Sequence, residues 1–183
     1  MLKDITVIVR SVGRTCLYDA IESVLIQQVS NLEIVVVDAV GNINLNLPLT
    51  MDRASIKLAS IKKQLSRPAA ANLGLDYASG EFCIFLDEDD LFLENHLSAL
   101  KSKLQKNPTA IAAYSGVKLL DNEANLIDIY NQSFAPLKLI ENNSFPIHAV
   151  LFRAWRCKNC RFDEDIEIYE DWDFWLQVSR KGR

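Results

Sequence analysis

Residues 67–92 read RPAAANLGLDYASGEFCIFLDEDDLF, and the order of side chains in that stretch decides the class of fold. Pro68 suits the first turn of a helix, because its missing N–H is one that a helix start leaves unpaired anyway. The alanine-rich run from Ala69 to Ala78 continues that helix, and Gly80 suits its end. Phe82, Cys83, Ile84, Phe85 and Leu86 then make a wholly apolar run of strand length, without the alternation of a strand that has one wet face. Such a strand is covered on both sides. It ends abruptly in four acids, Asp87, Glu88, Asp89 and Asp90.

The same pattern continues outward from this stretch. Upstream, residues 5–9 are rich in β-branched side chains and read as a buried strand, punctuated by Gly13. Thr15 is a candidate N-cap for a helix carried by Leu17, Ala20, Ile21, Val24 and Leu25 through Gln28. Residues 34–37 supply a second buried strand, closed by Asp38 and the turn-forming Gly41 and Asn42; residues 42–49, with Pro48, read as loop and 56–58 as a further strand. Downstream, Leu97, Leu100 and Leu104 mark a helix that stops near Asn107 and Pro108. Residues 111–117 read as a strand and residues 121–144 as polar, irregular chain. Buried strands joined by amphipathic helices require a mostly parallel sheet with helices on both faces, which places the chain in the α/β class. With 183 residues and no repeat or linker, one domain over 1–183 is expected.

Composition narrows the function. A net charge of -4 gives no electrostatic reason for a nucleic-acid partner. The apolar runs fall short of the roughly 20 residues that a transmembrane helix needs. The start, Met1-Leu2-Lys3-Asp4, lacks the apolar core of a signal peptide, so a cytoplasmic location is expected. Four cysteines include one CxxC pair, Cys157 and Cys160, but with no second pair and with His96 and His148 standing alone, reduced thiols are a better reading than zinc.

The acids after Leu86 carry the chemistry. In open α/β sheets ligands collect beyond the carboxyl ends of the strands. Two carboxylates about 5 Å apart repel by roughly 3 kcal/mol at an effective dielectric near 20, a cost that a divalent cation removes. Carboxylate oxygens are the ligands that Mg²⁺ and Mn²⁺ prefer, and such an ion can hold and neutralise a diphosphate. The plainer alternative is that the acids cap a helix beginning near Leu93.

Residues 67–92 closely resemble the core of family 2 glycosyltransferases, which have the GT-A fold, a Rossmann-like sheet flanked by helices. Residues 5–14 (ITVIVRSVGR) resemble that family's first strand and loop, residues 20–41 (AIESVLIQQVSNLEIVVVDAVG) its first helix and second strand, and residues 162–177 (FDEDIEIYEDWDFWLQ) its late acidic motif. The resemblance implies a metal-dependent, inverting transfer of a sugar from a nucleoside-diphosphate donor, with UDP favoured, in bacterial-type polysaccharide or cell-surface glycan synthesis. It assigns Asp38 to the nucleobase and Arg67 and Asn72 to the donor site. Asp87 and Asp89 become the two aspartates of the DXD motif, holding Mn²⁺ or Mg²⁺, with Asp87 also near the donor and Asp90 capping the next helix or supporting the metal site. Asp171 becomes the catalytic base, with its neighbour Glu170 as the fallback. The partners implied are a nucleotide-sugar donor and a glycan or lipid-linked acceptor, with room for peripheral association at the inner face of a membrane and for a homodimer.

The chain departs from the family pattern after its first strand. Many relatives carry a proline, an aromatic and an asparagine there, whereas this chain has Arg10, Ser11, Val12, Gly13 and Arg14, so an aromatic partner for the nucleobase is missing. It also stops at Arg183, shortly after the helix containing Trp175, where relatives usually continue into acceptor-binding or membrane-associated segments, so a chain shortened at its C-terminus is among the expectations. The competing expectation is a non-catalytic, nucleotide-sugar-binding or scaffold module of a larger glycan-synthesis protein.

Overall fold

The computed structural model describes residues 3–45, 50–51 and 54–182. In chain order its elements are β1 (Lys3–Ser11), α1 (Leu17–Leu25), β2 (Leu32–Asp38), β3 (Thr50–Met51), β4 (Ala54–Ala59), α2 (Arg67–Tyr77), β5 (Gly80–Asp87), α3 (His96–Lys106), β6 (Ala112–Tyr114), β7 (Val117–Leu120), β8 (Leu126–Tyr130), α4 (Pro136–Glu141), β9 (Val150–Arg153) and α5 (Glu170–Ser179). Among the described residues, seven strands form one sheet in the order β3-β4-β2-β1-β5-β9-β6, while β7 and β8 pair separately as an antiparallel hairpin. The centre, β4-β2-β1-β5, is parallel, and β3 and β9 run against it.

Alternation along the strands divides the core in two. Ile5, Val7 and Val9 with Ile34, Val36, Phe82, Ile84 and Leu86 face α1 and α3; Ile8, Val35, Val37, Cys83 and Phe85 face α2, α4 and α5. Every residue of β2 is buried, as a doubly covered strand requires. The mostly parallel sheet with helices on both faces is therefore observed. After β1 the chain builds outward through β2 and β4, then returns to place β5 on the other side of β1. The carboxyl ends of β1 and β5 thus flank the point where strand order reverses, the place where open sheets leave a crevice.

Several expected boundaries move. Thr15 does not cap α1: Cys16 holds that position without a side-chain bond, and the helix ends at Leu25, short of Gln28. The Gln27 amide instead donates to Ser23 O and Leu93 O and accepts from Leu97 N, tying α1 to α3. Helix α2 is capped by Ser66, whose Oγ accepts from Ala69 N, and Gly80 belongs to β5 rather than to the helix end. A Cβ at Gly80 would lie 2.5 Å from Thr6 N, so the close approach of β5 to β1 excludes a side chain there. The strand expected over 111–117 breaks at Ser115 and Gly116, one half joining β9 and the other turning into the hairpin. Residues 121–144, expected to be irregular, hold β8 and α4. The loop expected over 42–49 is irregular through Leu45; Pro48 lies outside the described residues.

Candidate active site

The carboxyl ends of β1 and β5 bring one arginine against two acids. Arg10, the residue before the last of β1, is 6% exposed; it donates from Nε to Asp87 Oδ1 at 2.7 Å, from Nη2 to Asp87 Oδ2 at 2.9 Å and from Nη1 to Glu170 Oε1 at 3.3 Å. Parallel pairing sets Arg10 directly beside Asp87, and Glu170 arrives as the first residue of α5. Burial alone would depress the guanidinium, but Asp87 and then Glu170 outweigh it and raise its pKa. Arg67, at the start of α2, completes the group from the exposed side, with Nε 3.2 Å from Glu170 Oε1 and Nη2 3.8 Å from Asp87 Oδ2.

The other acids of the run diverge. Glu88 is buried: it accepts from Ser11 Oγ at 2.5 Å and from the amides of Val12, Gly13 and Arg14. It shapes the loop after β1 instead of facing solvent. Asp89 does face solvent, 2.9 Å from the exposed Arg14 Nη1. Asp90 turns away to His148, with Oδ2 2.8 Å from Nδ1. None of the four caps α3, which begins only at His96, with Asn95 in the left-handed conformation before it; the capping role expected for Asp90 is thereby replaced by the bond to His148.

The remaining expected residues fall into two groups. Asp38 is fully buried and its carboxylate accepts from the amides of Val40, Gly41, Asn42 and Ile43 and from Ser60 Oγ, the arrangement of an Asx turn. Burial pushes its pKa up, but Ser60 and the amides of Gly41, Ile43 and Val40 prevail and hold it below the ordinary value. Asn72 points to the chain before α5, donating to Phe162 O and Glu164 Oε1 and accepting from Phe162 N. Asp171, half-buried in the first turn of α5, accepts from Asn143 Nδ2 at 3.0 Å on each oxygen and from Trp172 N. The structure therefore joins Arg67, Asp87 and Glu170 directly. Asp171 is the next residue along the chain, held by a different partner. Sequence reasoning missed Arg10, Arg14 and His148; the one signal for Arg10 was a permanent charge closing an apolar strand whose neighbour closes on acids.

A cleft of about 320 Å³ is lined by Arg10, Ser11, Arg14, Ala39, Arg67, Asp87, Glu88 and Asp89. Among the described residues no three His, Cys, Asp or Glu side chains converge as a ready metal cage. Both oxygens of Asp87 are taken by Arg10, whereas Asp89 is held by Arg14 through Oδ2 alone, which leaves its Oδ1 for an ion. That donor set fits Mg²⁺ or Mn²⁺, which bind through one or two carboxylates and take their other ligands from substrate phosphate and water. A larger cavity of about 560 Å³, between β6, α4 and α5, is lined by Tyr114, Phe134, Leu139, Phe145 and Trp175 without a charged group, and offers no such chemistry. Cys157 and Cys160 are buried free thiols, and burial together with the nearby Cys160 pushes Cys157 up to about 12. A protonated thiol is a poor metal ligand.

The family model described as glycosyl transferase family 2 matches residues 5–150. The chain belongs to glycosyl transferase family 2. Among curated proteins, this family 2 chain is 32% identical over 124 residues to the Escherichia coli UDP-Glc:alpha-D-GlcNAc-diphosphoundecaprenol beta-1,3-glucosyltransferase WfgD, covering 67% of this chain and 47% of that protein. The chain spans between 24% and 64% of the length of the curated relatives it matches. Among solved structures, S. aureus TarS 1-349 in complex with UDP-GlcNAc superposes with a TM-score of 0.76 at 17% identity, covering 98% of this chain and 54% of that one. The mannosyltransferase PcManGT from Pyrobaculum calidifontis, in complex with GDP-Man and Mn2+, has a TM-score of 0.70 at 18% identity, covering 100% of this chain and 53% of that one. The GT-A fold expected for family 2 is the fold observed. No helix among the described residues is long and apolar enough to cross a membrane.

Proposed function

We propose that this chain transfers a sugar from a nucleoside-diphosphate donor, UDP-linked by preference, to an acceptor hydroxyl with inversion, and that residues 1–183 serve as one nucleotide-sugar-binding catalytic domain. The observation that carries this reading is the meeting of three arginines with an outward-facing aspartate at the strand-order reversal. Arg14 and Arg67 are exposed cations on either side of Asp89 and Asp87, and permanent guanidinium charges suit a diphosphate. A divalent ion shared between Asp89 and the diphosphate would supply charge neutralisation for the leaving group. Asp38 serves the nucleobase side by fixing the turn over 39–43 beside the cleft, and Asn72 serves the site by anchoring the segment that leads into Glu170.

Asp171 is the proposed base. Asn143 and the Trp172 amide orient its carboxylate in the first turn of α5. A hydroxyl of pKa about 15 is not ionised by a carboxylate of about 4, so the proton passes to Asp171 as the new bond forms. The acceptor oxygen bonds the anomeric carbon, the carbon–oxygen bond to the diphosphate breaks, and configuration inverts. Glu170, enclosed by Arg10 and Arg67, is the less suitable base because its charge is already spent on two guanidiniums. A lipid-linked acceptor is supported by the diphosphoundecaprenol named for WfgD, which fits work at the cytoplasmic face of a membrane.

One observation favours a second reading, a module that binds nucleotide-sugar without transferring: Asp87 is bonded by Arg10 on both oxygens. Single-turnover transfer or donor hydrolysis separates the two. Wild type is expected to turn over and Asp171→Asn to lose about 10²-fold or more in kcat, the scale of general-base catalysis, with KM little changed. An Asp171→Asn variant as active as wild type refutes the assignment of the base; an inactive wild type that still binds donor supports the module.

A further inference from the structure

Asp90 and His148 form a carboxylate–imidazole pair that the catalytic reading leaves unused. His148 lies in a tight turn over Ile147–Ala149 between buried neighbours, Ile147 and Ala149, and that turn feeds β9. Because β9 runs antiparallel to β5, its amino end, and with it the turn that holds His148, lies toward the carboxyl edge of the parallel strands. The Asp90 amide closes a turn onto Asp87 O at 3.0 Å, and its carboxylate holds His148 Nδ1 at 2.8 Å. The ring is 16% exposed, and no other side-chain hydrogen bond to it is made among the described residues. Where the imidazole is neutral, a carboxylate at Nδ1 keeps the ring proton there and leaves a lone pair at Nε2.

Position along the sheet edge says what that lone pair meets. Reading across, the edge carries Asp38 on β2, Arg10 on β1, Asp87 at the end of β5 with Asp89 just after it, and His148 before β9. Neighbouring strands are about 4.8 Å apart, so β2 to β9 spans roughly 14 Å along this edge. With the base side at the Asp38 turn and the diphosphate at Asp89 and the arginines, the transferred sugar reaches the Asp90–His148 end. His96, beside His148 on α3, does not compete for it: its ring stacks on Phe92 at 4.5 Å, and burial, reinforced by His148, pushes its pKa down to about 4.

We propose that Asp90 and His148 are a sugar-recognition pair, His148 Nε2 accepting a hydrogen bond from a hydroxyl of the transferred sugar and Asp90 acting as its positioning residue. This rests on the donor site proposed above. The test is calorimetric titration of the whole chain, without acceptor and with Mn²⁺, using UDP and a panel of UDP-glucose, UDP-galactose and UDP-N-acetylglucosamine. His148→Phe is expected to leave UDP affinity within about 2-fold while weakening the preferred UDP-sugar about 3- to 10-fold, the scale of one hydrogen bond. Asp90→Asn, whose amide donates to Nδ1 and moves the proton to Nε2, should lose a similar factor, and His148→Gln, which keeps an acceptor, should regain most of it. An equal fall for UDP and UDP-sugars, or no change for either, overturns the pair's role. A wild type that binds none of these ligands instead overturns the donor site itself.

Discussion

Arg10 decides how the acids of this site are used. A buried guanidinium between Asp87 and Glu170 links the end of β5 to the start of α5, so the charge that sequence reasoning gave to a metal is in part spent on holding the site together. Removing one partner of a buried ion pair leaves the other charges desolvated and uncompensated. Arg10→Met is therefore expected to cost about 3–5 kcal/mol in denaturant unfolding, and adding Glu170→Gln should recover part of that loss. A single-variant loss below about 1 kcal/mol, the range of an exposed pair, contradicts a load carried by this triad. Asp38 teaches the same lesson. Its carboxylate accepts from four amides and Ser60, so its charge also holds the turn over residues 39–43.

At the scale of elements, α2 sits on the sheet through its small residues. A Cβ at Gly74 would lie 2.2 Å from Ile8 Cγ2 and 3.1 Å from Val37 Cγ2, so the helix approaches β1 and β2 at a distance only glycine allows. Gly74→Ala, which raises intrinsic helix propensity, should nevertheless destabilise by about 1–3 kcal/mol through overpacking, measured as a fall in the urea midpoint at constant slope. A gain in stability would show that α2 can move away freely. The elements with both faces buried were legible because continuous apolar runs bounded by Gly, Pro and acids leave few alternatives, as in residues 5–9, 34–37 and 82–86. The stretch after Ile111 was not. Val117, Leu119, Leu120, Leu126 and Ile129 belong to a hairpin with little buried face, whose pattern of mixed polar and apolar residues carries no period to read.

For the whole molecule, topology does what no single motif could. The sheet order makes β1 and β5 neighbours across the reversal and so assembles Arg10, Arg14, Arg67, Asp87 and Asp89 from segments as far apart as the start and middle of the chain. The acid cluster was visible in the sequence as composition at a strand end; its division of labour was not, because Glu88 faces the β1 loop, Asp90 faces His148, and both partners lie many residues away. Family likeness supplies the catalytic expectation for Asp171, and Asn143, which holds it, lies in a segment that sequence left irregular. The central claim is that this edge seats a nucleoside diphosphate together with a divalent ion, and thermal unfolding of the chain with UDP, GDP and ADP, each with and without Mn²⁺, tests it most directly. UDP with Mn²⁺ at about 100 times its dissociation constant should stabilise by about 2.7 kcal/mol, a rise in Tm of about 5–10 °C, with little rise when the ion is left out or in Asp89→Asn. No rise with any nucleotide at high concentration, with or without the ion, would contradict the donor site and the account built on it.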